Sequence, residues 1–192
     1  MQLKSSRELE KLKEVLMAPT AEGPETAYWV FSGLSHDKWE NMTVIAPGRY
    51  GTEFPKTYGH YHTTSKVRET YKLVSGEGVF MLQKKHYKDG VWFPEVVDKV
   101  FLIKASHGDE IVIVPEEYGH SWSNIGHEPL VTYDDWRNGH EHYDYDAIKD
   151  LQGLAYYLVE ENGGIKTVPN PKYKDHPEPQ WVTAEEFNLM VT

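Results

Sequence analysis

Apolar residues fall in two different rhythms along this chain. Between residues 5 and 17, Leu9, Leu12, Val15 and Leu16 recur at helical spacing, and Ser5 with Glu8 stands at the spacing of a capping box. That combination predicts an N-terminal helix. From Thr26 to about Val168 the pattern changes to short runs of Val, Ile, Tyr, Phe and Thr separated by Gly, Pro, Asn or Asp clusters. These runs predict strands near 26–32, 42–46, 57–62, 68–74, 78–84, 96–104, 110–114, 119–124, 129–136, 155–160 and 165–168. Many short strands with no helical period between them predict an all-β, antiparallel double-sheet barrel rather than a parallel sheet. A helical turn within 139–154, an extended surface tail marked by Pro169, Pro171, Pro177 and Pro179, and a second capping box at Thr183 and Glu186 opening a C-terminal helix complete the pattern. The expectation is one domain over 1–192, with an N-terminal helical segment (1–25), a β-barrel (26–168) and a C-terminal extension (169–192).

Charge narrows the partners. Twenty Lys and Arg stand against 30 Asp and Glu, a formal net charge of −10. A broad basic surface for nucleic acid or anionic lipid is not expected. No apolar run reaches the roughly 18 residues that cross a bilayer. The charged N-terminus has no apolar core of a signal peptide, so the expected location is cytoplasmic. With no cysteine, any metal must rest on His, carboxylate and carbonyl ligands. Ten His and 13 Tyr exceed what a core of this size uses and suggest a ligand pocket.

The most informative segment is Gly59-His60-Tyr61-His62, followed by Glu69, Tyr71, Gly76 and Gly78. Residues two apart in a strand face one side, so His60 and His62 can converge, and a hairpin across 63–68 would return Glu69 beside them. Downstream, Gly108-Asp109 opens an alternating run to Val114-Pro115, after which come His120 and Asn124. Three imidazoles and one carboxylate suit a divalent transition metal such as Fe(II), Mn(II), Ni(II) or Zn(II), with room left for water or substrate oxygens. The cluster Asp134, Asp135, His140, Glu141 and Asp144 reads as a solvated acidic loop, and His36, His86, His107, His127 and His176 as surface residues.

These two blocks resemble the paired motifs of the cupin superfamily, a double-sheet jelly-roll barrel. Six residues separate His62 from Glu69, longer than in most cupins. That longer gap, with the Glu-x-Tyr that follows it, is similar to the cupin-type phosphoglucose isomerases known chiefly from archaea. The resemblance extends through Thr43, Thr57-Tyr-Gly-His-Tyr-His, Glu69-Thr-Tyr, Gly108-Asp, Asn124-Ile-Gly-His-Glu-Pro, Asp144-Tyr145 and Glu160-Glu-Asn-Gly. It implies that His60, His62, Glu69 and His120 are metal ligands, with one divalent metal per chain and Fe2+ the leading candidate. It implies that Thr43, Thr57, Gly59, Tyr71, His142 and Tyr145 bind substrate phosphate. Trp136 stands where the family has Tyr, and one residue is inserted between His142 and Tyr145.

The function expected is interconversion of glucose 6-phosphate and fructose 6-phosphate, by proton transfer through a cis-enediolate or by a metal-assisted hydride shift. Glu69 would be the proton shuttle and Tyr71 would orient the sugar. A cupin Fe(II) dioxygenase and a non-catalytic sugar-binding cupin are the alternatives, because one barrel supports many chemistries. The resemblance also implies a homodimer.

Overall fold

Alternation decides most of this molecule. The computed structural model describes residues 1–62, 67–138 and 140–191. Its strands are β1 (Gln2–Glu8), β2 (Thr26–His36), β3 (Trp39–Ile45), β4 (Glu69–Ser75), β5 (Gly78–Lys88), β6 (Val91–Ala105), β7 (Glu110–Ile113), β8 (Tyr118–Asn124), β9 (Leu130–Asp134), β10 (Tyr156–Glu161), β11 (Gly164–Pro169) and β12 (Gln180–Trp181). Helices α1 (Leu9–Leu12), α2 (Tyr143–Asp150) and α3 (Ala184–Val191) are short. A six-stranded sheet runs β1-β2-β3-β9-β4-β7 and a four-stranded sheet runs β12-β6-β5-β8, with β10-β11 a separate hairpin. Side chains from the two larger sheets meet: the rings of Tyr71 on β4 and Phe80 on β5 are 4.9 Å apart. The expected all-β double-sheet architecture is what forms, and among the described residues no helix is long and apolar enough to cross a membrane.

Three departures from the expected elements have physical causes. Residues 2–8 are an edge strand against β2, not the start of a helix. Leu3 is the only apolar residue among them, so there is no stripe to bury as a helix, and Glu8 accepts a bond from Thr26 rather than capping anything. The helical apolar spacing is used only from Leu9 onward, where Leu12, Val15 and Leu16 are fully buried. Second, 57–62 forms no strand. It runs beside β8 through isolated bridges, Lys56 opposite Ser123 and His60 opposite His120. Pro55 has no N–H to extend the ladder, and Gly59, at φ +82°, turns the backbone out of strand geometry. Third, β5 and β6 reach far beyond 84 and 96, joined by Asp89 and Gly90, both at positive φ.

The C-terminal region keeps its expected helix. Thr183 Oγ1 accepts from Glu186 N, and Glu186 Oε2 accepts from Thr183 N, a reciprocal capping box. The tail before it is less superficial than its prolines suggest. Asn170 and Tyr173 are buried, Asn170 donates to the carbonyls of Leu151 and Leu154, and β12 pairs in parallel with β6.

Candidate metal centre and its cavity

Two backbone devices bring the histidines together. His60 and His120 exchange N–H···O bonds of 3.2 and 3.0 Å across the bridge between the Gly59 segment and β8. Tyr61 points the other way, its ring lying where a side chain on Gly119 would need to go: a Cβ there would come within 2.5 Å of it. Gln83 Nε2 holds the Tyr61 hydroxyl at 2.5 Å. With Tyr61 anchored in the core, His60 and His62 turn to the opposite side. Their ligand atoms and that of His120 all lie within 4.8 Å of one another.

Glu69, the first residue of β4, completes the group from the facing sheet. Its Oε2 is 3.1 Å from His62 Nε2 and 3.9 Å from His120 Nε2. Yet His62 Nε2 and Glu69 Oε2 are both buried without a hydrogen-bond partner. Two lone-pair atoms face each other with no proton aligned between them, an arrangement that a cation satisfies. The protonation states agree. Burial first, with His120, His140 and His62 adding to it at His60, and His62 and His140 adding to it at His120, drives both rings well below the usual imidazole range, and burial brings His62 down to about 4. They are neutral imidazoles at pH 7. His120 Nδ1 lies 3.1 Å from the Tyr118 carbonyl, a bond that leaves Nε2 facing the site. Burial pushes Glu69 up to about 8, the opposite of what a bound cation would do. The donor set therefore fits a divalent transition metal, as three nitrogens and one oxygen.

The centre opens on a cavity of about 370 Å³. Its wall follows the register of the six-stranded sheet. Asn41, Asp134 and Tyr71 form one row across β3, β9 and β4. Ser5, Val30 and Thr43 lie in the next inward-facing row, and Arg7 with Tyr28 in the one after. Two such steps are four residues, roughly 13 Å at strand rise. The cavity thus has carboxylates at one end and Arg7 at the other, with Lys4 of β1 between them. Arg7 Nε donates to Tyr28 Oη at 3.2 Å, and its guanidinium lies 5.1 Å from the Tyr58 ring centroid. A bulge between Leu3 and Ser5 turns Lys4 toward the cavity as well.

Of the residues expected at the site, Thr43, Thr57, Gly59, His60, Glu69, Tyr71, His120 and Tyr145 line this cavity. The Thr57 hydroxyl is already engaged, accepting from Trp122 N and lying 3.1 Å from Ser121 Oγ. Tyr71 Oη sits 3.1 Å from His120 Nε2, at the histidine end of the cavity. His142 is not brought in: it is exposed at the start of α2 and lines a neighbouring cavity of about 260 Å³ with Arg7, Lys11 and Lys149. The supposed solvated loop is partly interior. Asp134 and Asp144 are buried, and His140 Nε2 approaches His60 Nε2 to 2.8 Å. Burial and the nearby Glu69 raise Asp134 to about 7. Trp136 closes the centre, its ring 4.1 Å from that of His62. The sequence reading missed Lys4, Arg7, Asn41, Asp134 and His140. A strand assignment for residues 2–8 would have supplied the first two.

Comparison with known proteins gives a consistent picture. A sequence model described as glucose-6-phosphate isomerase matches residues 22–177. A glucose-6-phosphate isomerase from Thermococcus onnurineus is 33% identical over 132 residues, covering 69% of this chain and 62% of that protein. One from Thermococcus litoralis is 31% identical over 157 residues, covering 80% of this chain and 75% of its own. Among solved structures, a predicted oxalate decarboxylase from Thermotoga maritima aligns with 18% identity over 70% of this chain and 90% of that one, at a TM-score of 0.39. The matched stretch thus spans less than two thirds of the Thermococcus onnurineus relative. Because the family match runs from just before β2 to beyond β11 and takes in every residue of the histidine and glutamate centre, this chain belongs to the glucose-6-phosphate isomerase family.

Proposed function

We propose that this chain is a metal-dependent isomerase interconverting glucose 6-phosphate and fructose 6-phosphate. The observation that carries the reading is the polarity of the cavity, with His60, His120 and Glu69 at one end and Arg7 at the other. A hexose phosphate has the matching polarity, carbonyl at one end and phosphate dianion at the other. The relatives named for this activity support it.

A divalent metal held by His60, His62, His120 and Glu69, Fe2+ in our reading, would supply a Lewis acid for the sugar's C1 and C2 oxygens. The chain's own residues do the rest. Moving the carbonyl from C1 to C2 requires a proton to leave C2 and a proton to arrive at C1. Beside a bound cation Glu69 would be held as the carboxylate, the form that can take that proton from C2 and return it at C1. The Tyr71 hydroxyl, on the same strand face two residues on, orients the reacting end. Trp122 and Trp136 keep water from it. Toward the far end Arg7 provides charge, with Lys4 midway along the wall, and the Thr43 hydroxyl, the Gly59 backbone and Tyr145 provide hydrogen bonds for the phosphate. A cytoplasmic location goes with a phosphorylated substrate. A homodimer is part of the same reading, since β1 is an exposed sheet edge open to a second copy.

A coupled assay of purified protein with fructose 6-phosphate, before and after chelation, tests the reading. Turnover should disappear with chelator, return with added Fe2+ and proceed without oxygen uptake. Full activity in protein shown by elemental analysis to be metal-free overturns it.

A further inference from the structure

Asn41 and Asp134 stand opposite each other on β3 and β9, are 4% and 8% exposed, and line the cavity. The Asn41 amide spends both of its hydrogens: Nδ2 donates to Asp134 Oδ1 at 2.7 Å and to the Trp136 carbonyl at 2.8 Å. Those two acceptors fix the amide's orientation, because a flipped side chain would set its oxygen against both. Asn41 Oδ1 is then left buried with no partner. Asp134 shows the same imbalance. Its Oδ1 also accepts from Trp136 N at 3.1 Å, while among the described residues Oδ2 accepts no hydrogen bond.

With Asp134 ionised, this part of the wall presents two fixed acceptors and no donor. A buried acceptor without a partner is costly enough that native structures rarely keep one idle. A phosphate or carbonyl oxygen, itself an acceptor, is repelled there, whereas a hydroxyl is satisfied. Two oxygens are too few for a hard cation such as Ca2+, which takes six or more. The row is shared with Tyr71 and lies on the metal side of Thr43, next to where the sugar chain would leave the reacting carbons. We infer that Asn41 and Asp134 form a hydroxyl-recognition subsite for the polyol chain of the substrate, and that they set specificity by requiring a donor at one carbon. This rests on the hexose phosphate reading above.

The test uses glucitol 6-phosphate, which has no carbonyl and cannot react, and its 3-, 4- and 5-deoxy analogues, bound to metal-loaded protein in a calorimeter. Measurements at pH 8 lie above the value near 7 to which burial brings Asp134, so its carboxylate is ionised. One deoxy analogue should bind wild type about 10- to 100-fold more weakly than the parent, the range for a hydrogen bond to a charged group. Asp134→Asn keeps the volume and can still accept both bonds at Oδ1, but exchanges the free acceptor for a donor. In this variant the parent should bind more weakly and the penalty for that deoxy analogue should vanish. Asn41→Ala should behave alike, and if it does not fold, Asp134→Asn alone decides. Binding of every deoxy analogue within about twofold of the parent overturns the subsite, as does a penalty unchanged in Asp134→Asn or an absence of binding altogether. If wild type shows the deoxy signature but never turns over fructose 6-phosphate, the isomerase reading falls and the subsite stands. Turnover with a flat deoxy series gives the reverse.

Discussion

Replacing Glu69 by Gln separates two roles that fail differently. The amide retains an oxygen that can coordinate weakly but cannot carry a proton. Where Glu69 moves the proton, Glu69→Gln keeps much of its metal while kcat per bound metal falls by about a hundredfold to ten-thousandfold, as for a lost general base. Where it only coordinates, as a hydride shift would have it, metal content and activity fall together and kcat per bound metal survives. Elemental analysis beside steady-state kinetics reads the difference. At this scale the chain declares residues that are close in sequence. Glu69 and Tyr71 are two apart on β4, a spacing that needs no tertiary information to put both on one face; His60 and His62 share the spacing, but outside a strand it is the bridge to β8 and the anchored Tyr61 ring that turn them to one side. Asn41, Asp134 and His140 were hidden for the opposite reason. Asn41 meets Asp134 only through the β3–β9 register, and His140 reaches His60 across 80 residues. Nothing local distinguishes Asp134 from its half-buried neighbour Asp135, because the strand ends between them.

The element that changes the functional picture most is β1. With a helix over 5–17, Arg7 would lie in its exposed first turn and Lys4 ahead of it. As an edge strand on β2, residues 2–8 carry the only Lys and Arg side chains among the described residues that line the cavity. The misreading arose because the apolar spacing of Leu9 to Leu16 is real, and the Ser5 and Glu8 pair imitates a cap that the strand does not use. In contrast, Thr183 and Glu186 form the cap their spacing predicts, because a buried face with Ala184 and Phe187 follows directly. A test belongs to β1. Arg7→Met with Lys4→Met preserves the aliphatic stems but removes both charges. The double variant should raise KM for fructose 6-phosphate by about 10- to 100-fold, with a smaller fall in kcat, the signature of lost uniform binding. Residual discrimination should also weaken: wild type should prefer the phosphate over free fructose far more than the variant does. A KM unchanged from wild type would assign the phosphate to the hydroxyls and backbone N–H groups near Thr43 and Gly59 alone.

For the molecule as a whole, the centre ties the two larger sheets together: His120 comes from β8, Glu69 from β4, and His60 and His62 from the segment that bridges along β8. A ligand that binds this arrangement and not the unfolded chain must stabilise the entire fold. At free metal about a thousandfold above Kd the linkage is worth about 4 kcal/mol. Chains of this length shift by roughly 2–4 °C per kcal/mol, so loading should raise Tm by about 8–16 °C. A chain with net charge −10 also attracts divalent cations diffusely, and that alone could raise Tm by relieving self-repulsion. Salt separates the two causes. Raising ionic strength to about 1 M shortens the screening length to about 3 Å, which suppresses diffuse binding but leaves buried coordination largely intact. Calorimetric scans of chelated and reloaded protein should therefore show a shift that persists in high salt and is absent from the His60→Ala, His62→Ala double variant. A shift of equal size in that variant, or one that disappears with salt, would locate the stabilising ion on the acidic surface instead of between the sheets.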